Sequence, residues 1–310
     1  MGIKFLNKYL LEKCKSIKKK QHLSQFRGKK IVIDASIYMY KFLSDGAEAL
    51  LPNMHKMVTM FHKYNIDPVF IFDGKPPPEK RELLNQRYLT KCKAKEKYEE
   101  LVSTDTADEK ELILLKNQFL RVSEKNVNDV RELLSAMGIA HFVSTAESDP
   151  LCVYLVNSKK VCACLTEDMD MFVYGCQRIF RNINLNTHEI DYYDIVSILK
   201  DLKMSYIQFK QILVLSGTDY DIQSCNNLFT TLSLFEKYRY ISLRDKKSFY
   251  EWLLEYNPFY IKNPDKLNHC FNMFHLDYYA TELKPFLHLT PHDFVCQKPN
   301  IVEVNKLLTL

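Results

Sequence analysis

The sequence predicts an α/β fold: a mainly parallel central sheet flanked by helices, followed by a mostly helical C-terminal part. Three observations predict it. Short apolar runs of strand length alternate with longer amphipathic segments, the pattern of βαβ units. Several of those runs end on a carboxylate. Beyond about residue 190 the strand-like runs give way to helical or irregular stretches. A chain of 310 residues, 46% apolar and 26% charged, is long and apolar enough to bury a sizeable core.

The first twenty residues, MGIKFLNKYLLEKCKSIKKK, are basic and amphipathic and lack the apolar block of a signal peptide. Leu6 stands where an N-myristoylation signal wants Ser or Thr. Ile31-Val32-Ile33-Asp34 reads as the first strand and 36–43 as a helix. Leu50, Met54, Met57, Val58, Phe61 and Tyr64 form the stripe of an amphipathic helix over 49–64, broken by Asp67-Pro68. Val69–Phe72 is the second strand. Residues 79–126 are charged, helix-permissive and free of Gly and Pro, with a break expected at Ser103–Thr106. Val127, Val130, Leu133, Leu134 and Met137 form another stripe, closed by Gly138. Ile139–Val143 is the third strand. Asp149-Pro150 starts a helix with proline at its first position. Val161–Leu165 and Arg178–Ile183 are the fourth and fifth strands. The last 70 residues are aromatic-rich and carry no readable motif.

Composition excludes several function classes. No run of about 18 apolar residues occurs, so no membrane span is expected. Nine cysteines without a C-x-x-C pair suit free thiols in a reducing intracellular compartment, nucleus or cytoplasm. Seven glycines, with neither G-x-G-x-x-G nor a P-loop, argue against a nucleotide cradle. The formal net charge of +5 is mild, but it is unevenly spread. Lys15, Lys18, Lys19 and Lys20 form one basic cluster; Lys75, Lys80, Arg81, Arg87, Lys91, Lys93, Lys95 and Lys97 form a longer one. Such a stripe suits a polyanion or, equally, a solvated helix.

The acids carry the chemistry. Asp34 and Asp73 close the first two strands, Glu147 and Asp149 follow the third, and Asp168 and Asp170 follow the fourth. Asp219 follows the apolar run Ile212–Leu215. Singly, each reads as a turn former or a helix cap. Together they are expected at the carboxyl ends of the strands, where open parallel sheets bind ligands. So many acids in one place repel one another unless cations compensate them. All-oxygen ligation selects Mg²⁺ or Mn²⁺, and two such ions suit in-line phosphoryl displacement.

The segments MGIKFL, IVIDASIYMYKFL, VFIFDGKPPPEK, TAESDP, LTEDMDMF and LSGTDY, in this order and spacing, resemble the flap endonuclease/XPG family of structure-specific 5′ nucleases. The resemblance covers residues 1–220 and implies a 5′-nuclease (PIN-like) catalytic core. It implies two Mg²⁺ ions held by Asp34, Asp73, Glu147, Asp149, Asp168, Asp170 and Asp219, with Mn²⁺ as a substitute. Lys80 and Arg87 match the family's catalytic basic pair, and at i and i+7 they fall on one helix face with Lys91 extending the stripe. Residues of about 79–126 match the helical arch that admits a single-stranded 5′ end, and Pro76–Pro78 stiffen its base. Tyr40 matches a residue that stacks on a base, though a core tyrosine is the equal alternative. Gly2 matches a substrate-proximal glycine. The implied partner is branched or nicked DNA, bound by a monomer.

The chain also departs from the family pattern. Asp149 stands where flap endonucleases usually carry glutamate. After LSGTDY the family's Gly-x-Gly hairpin is missing, so residues 221–310 are expected to be a helical region with a degenerate helix-hairpin element, turned at Asn226-Asn227. The segment after Phe42 is short, which reduces the wedge between two duplexes. No sliding-clamp motif of the usual kind is seen, which suits a divergent, for instance viral, member. The expected function is Mg²⁺-dependent flap endonuclease or 5′-3′ exonuclease action on DNA. The rivals are a non-catalytic junction-binding protein on the same scaffold and an RNA-cleaving nuclease with the same site.

Overall fold

The computed structural model describes residues 2–104, 108–220, 226–241 and 247–309. Among them are seven strands: β1 (Lys18–His22), β2 (Lys30–Asp34), β3 (Asp67–Phe72), β4 (His141–Val143), β5 (Ala163–Leu165), β6 (Arg178–Asn184) and β7 (Glu189–Asp194). They form one sheet in the order β1-β7-β6-β5-β2-β3-β4. The central pairs β6-β5, β5-β2, β2-β3 and β3-β4 are parallel. β7 and β1 add an antiparallel edge.

That edge corrects the expectation that strands end near residue 183. β6 turns back through 185–188, where Asn184 Oδ1 accepts from the backbone N–H groups of Asn186 and Thr187, a side-chain mimic of a turn. β1 was masked in the sequence by its lysines. Lys18–Lys20 are exposed on the outermost strand, where charge discourages pairing with another chain.

The central strands alternate their side chains between two cores. Val32, Val69, Ile71 and Cys164 enter one core beneath the helices Leu6–Lys13, Ser148–Asn157 and Tyr206–Leu215 and much of the C-terminal region. Ile31, Ile33, Phe70, Phe72 and Leu165 enter the other, beneath Ala35–Leu43, Leu50–Lys63, Glu124–Ala136 and Ile301–Leu308. Both faces of the central strands β2, β3 and β5 are therefore dry, which leaves their ends to a ligand.

The charged segment forms a short turn at Pro78–Lys80, then the helices Arg81–Thr104 and Glu109–Gln118. The first of these helices runs through Thr104, two residues into the break expected at Ser103–Thr106; residues 105–107 lie outside the described residues. The helix over 148–157 starts two residues earlier than expected, with Glu147 as its cap residue and Pro150 third. Of the expected hairpin, 221–225 lie outside the described residues, while Asn227 Oδ1 accepts from Thr230 N at the start of Leu228–Ile241.

One core residue has no apolar logic. Lys210 is 1% exposed. Among the described residues its amine has no hydrogen-bond partner, and it lies 4.4 Å from the centre of the Phe271 ring. Burial pushes its pKa down to about 7. The folded chain thus resists a proton that the unfolded chain keeps up to about pH 10. Lys210→Met is expected to stabilise the protein at pH 7 by about 1–4 kcal/mol. The gain should be full below pH 7 and shrink toward pH 10. Urea unfolding at pH 7 and pH 9.5 measures both; a Met variant no more stable at pH 7 contradicts this.

Candidate metal and phosphodiester site

Asp34 ends β2 and precedes the helix Ala35–Leu43; Asp73 follows β3 directly. Glu147 and Asp149 open the helix after β4, Asp168 lies in the turn after β5, and Asp170 opens the short helix Asp170–Val173 that follows. Because β2, β3, β4 and β5 are parallel neighbours, these ends lie side by side. Asp219 reaches the same place differently: Ile212–Leu215 is the end of a helix, not a strand, which corrects the expectation of an acid at every strand end.

A cavity of about 890 Å³ is lined by Asp34, Asp73, Glu147, Asp149, Asp168 and Asp219. Asp170 is buried against Asp168, whose Oδ1 accepts from the Asp170 backbone N–H at 3.0 Å. Gly2 closes this side. Its φ is +76°, and a Cβ there would fall 2.5 Å from Asp170 Oδ1 and 2.8 Å from Asp168 Oδ1, so only glycine fits. Gly74 is as constrained: a Cβ would lie 2.0 Å from the Ser144 carbonyl oxygen, which lets the chain beyond Asp73 pass against the segment that carries Glu147.

The electrostatics show the expected strain. Burial, then Asp73 and Asp168, push Asp34 up to about 8. Burial and Asp168 raise Asp149 and Asp170 well above the carboxylate range. Among the described residues no three of these side chains are gathered into a finished coordination sphere. Four of the carboxylates have instead turned to a local partner. Asp34 accepts from Thr166 Oγ1 at 3.1 Å, and Asp73 accepts from the Ser148 backbone N–H at 2.8 Å. Glu147 accepts from Lys80 Nζ at 2.6 Å, and Asp219 from Arg87 Nη2 at 2.8 Å. Among the described residues, Asp170 Oδ1 is buried with no hydrogen-bond partner. An oxygen-only donor set with an orphaned buried carboxylate oxygen fits a hard divalent cation.

The cations lie in the same cavity. Lys80 is 7% exposed and also sits 3.7 Å from Asp219. Burial opposes its charge, but Glu147, Asp149 and Asp219 outweigh it and hold the ammonium above the usual lysine range. Lys80 belongs to the short turn, so it and Arg87 do not share one continuous helix as expected. Lys91 Nζ donates to the Leu120 carbonyl and lies 5.4 Å from the Tyr40 ring centre. Tyr40 is 40% exposed and lines the cavity, not the core. Sequence reasoning missed Tyr88 and Arg121, which also line it. It missed Ser148 and Thr166, which hold Asp34 and Asp73, and Arg181. Arg181, buried on β6, donates to the Glu167 carbonyl at 2.9 Å and so fixes the turn bearing Asp168 and Asp170. Ser148 and Thr166 were visible only as neighbours of the acids; Arg181 gave no signal.

The XPG N-terminal domain matches residues 1–94 and the XPG I-region matches 138–219. The chain belongs to the flap endonuclease/XPG family. Flap endonuclease 1 of Glycine max is 29% identical over 237 residues, covering 71% of this chain and 62% of the relative; the chain thus spans under two thirds of such relatives' length. The catalytic core of Rad2 in complex with DNA substrate superposes with a TM-score of 0.66 at 20% identity, covering 99% of this chain and 93% of that one. Flap endonuclease-1 from Methanococcus jannaschii superposes with a TM-score of 0.58 at 18% identity, covering 99% of both chains. At those identities the structures establish the shared flap endonuclease/XPG fold, and nothing finer.

Proposed function

We propose that this chain is a Mg²⁺-dependent, structure-specific 5′ nuclease that hydrolyses DNA phosphodiesters near single-strand/double-strand junctions. One observation carries the reading: the acids from four strand ends and one helix end meet the arch cations Lys80 and Arg87 in a single cavity. The names of the relatives, flap endonuclease 1 among them, support it. Free thiols at the eight described cysteines support a reducing compartment.

Asp34, Asp73, Glu147, Asp149, Asp168, Asp170 and Asp219 would hold the two cations, Mg²⁺ or Mn²⁺. Bound there, such ions lower the pKa of water and stabilise both oxygens of an in-line displacement. The chain's own residues do the rest. Lys80 and Arg87 exchange their carboxylate partners for the oxygens of the scissile phosphate and offset the charge that builds in the transition state. Tyr40 offers a ring for the adjoining base, a contact that tolerates any sequence. Lys91, tied to Leu120, keeps the second arch helix's exit close to that ring. Departure of the 3′ oxygen leaves a 5′-phosphate and a 3′-hydroxyl.

The test is one panel of 5′-flap, nicked, gapped and blunt DNA, with a ribose-substituted scissile strand, each with and without Mg²⁺. Metal-dependent cleavage of the flap or nicked DNA is expected. Binding without turnover in Mg²⁺ or Mn²⁺ would replace the reading with a junction-binding protein, and preferred cleavage of the ribose strand would replace it with a ribonuclease.

A further inference from the structure

We infer that three buried tyrosines, Tyr220, Tyr174 and Tyr279, are positioning residues for Glu147. Through them, the C-terminal segment around 269–279 sets the shape of the acid cavity. The inference rests on the reading of Glu147 as a cation-holding acid.

Both oxygens of Glu147 are engaged. Lys80 Nζ donates to Oε1 at 2.6 Å and Tyr220 OH to Oε2 at 2.9 Å. Tyr174 OH lies 3.1 Å from Tyr220 OH and 3.0 Å from Tyr279 OH. The three rings are only 3–5% exposed, so their hydroxyls must satisfy one another. A phenol has one hydrogen to give. Tyr220 gives its hydrogen to Glu147, so it can only accept from Tyr174. Tyr174 has then spent its hydrogen and can only accept from Tyr279. The hydroxyl chain therefore ends on Glu147 through Tyr220, with Tyr174 and Tyr279 behind it, and each link polarises the next. Phe274 packs edge-on against both Tyr174 and Tyr220, with ring centres 4.8 and 5.2 Å away.

The same segment also holds the other side of the Lys80–Glu147 pair. Glu79, next to Lys80, has its Oε1 3.3 Å from Tyr278 OH and 3.2 Å from His269 Nε2. Tyr278 and Tyr279 are consecutive, so one turn reaches the arch base with one hydroxyl and the buried relay with the next. A stretch that carries no motif of its own thus grips both the arch base and an acid of the cavity. Groups that orient a metal-ligating carboxylate typically change metal affinity by about 10–100-fold when removed.

Mn²⁺ binding to the DNA-free protein, read as loss of the free-ion electron paramagnetic resonance signal, tests this without any turnover. Tyr220→Phe is expected to weaken Mn²⁺ binding by about 10–100-fold and Tyr174→Phe by about 10-fold, both with cooperative melts. Tyr250→Phe is the control: its buried hydroxyl bonds the Gln211 carbonyl, outside the relay, and binding should not change. In a Glu147→Gln background, Tyr174→Phe should add nothing, because coupled residues are not additive. Should Tyr220→Phe not fold, Tyr174→Phe, which touches no acid, carries the test. Wild-type Mn²⁺ binding by the tyrosine variants, with weak binding by Glu147→Gln, overturns the relay alone. Wild-type binding by Glu147→Gln overturns the reading of Glu147 beneath it.

Discussion

Asp168→Ala combined with Asp170→Ala is expected to reduce cleavage of flap DNA by on the order of 10³-fold or more while making the metal-free protein more stable at pH 8. The two effects share a cause. Asp170 sits where burial, and then the neighbouring Asp168, disfavour its charged form, and Asp168 acts on its other neighbours in the same way. Asp34 is pushed up to about 8, by burial first and then by Asp73 and Asp168; Asp149 and Asp170 move the same way. A raised carboxylate pKa means that the folded state binds protons the unfolded chain has already lost above about pH 4. Stability from Asp34 is therefore fully present below about pH 4 and is lost as pH rises through about 8, and Asp149 and Asp170 contribute in the same direction. The wild-type protein in EDTA should lose more stability between pH 5 and pH 8 than the double variant. Mg²⁺ should restore the wild type at pH 8 and do little for the variant. Thermal melts in EDTA and in Mg²⁺ at both pH values, beside a flap cleavage assay, make the comparison. Equal cleavage, or a stability gap that does not widen with pH, would contradict the account.

Lys80→Met carries the second large effect. The ammonium is the internal counter-ion of the acids, 2.6 Å from Glu147 and 3.7 Å from Asp219. Without it, buried carboxylates are left uncompensated, which should destabilise the metal-free protein by about 3–5 kcal/mol. Saturating Mg²⁺ should recover most of that loss. Cleavage should not recover: the scissile phosphate loses a cation, and kcat is expected to remain about 10²–10³-fold down. Melts and single-turnover rates at saturating Mg²⁺ separate the two roles. A stable, Mg²⁺-saturated variant that cuts at the wild-type rate would leave Lys80 as a structural counter-ion only.

Much of this was legible in the sequence. The strands of the parallel centre are short, apolar and buried on both faces, so their runs stand out from the helical stripes around them. The acids follow those runs closely, and the order of the motifs tied the chain to its family. The antiparallel edge was not legible. In β1 lysine is tolerated because the strand is outermost, and in β7 the acids and tyrosines of EIDYYD obscure the alternation. Asp219 was legible as an acid but not as the end of a helix, because Ile212–Leu215 is apolar all round and buried, and such a run has no period to read.

The sequence by itself determined the parallel centre of the sheet, the acids and the charged helical segment with Lys80 and Arg87, because those depend on local periodicity and residue type. Only the tertiary structure decided what each acid faces: Glu147 to Lys80 and Tyr220, Asp219 to Arg87, Asp34 to Thr166, and Asp170 with an oxygen left unpaired. It also decided that the C-terminal stretch reaches the cavity through Tyr279 and Tyr174. Those pairings join residues up to 132 positions apart. Side-chain hydroxyls and carboxylates choose partners by proximity in a dry interior, and the order of the chain does not encode that proximity.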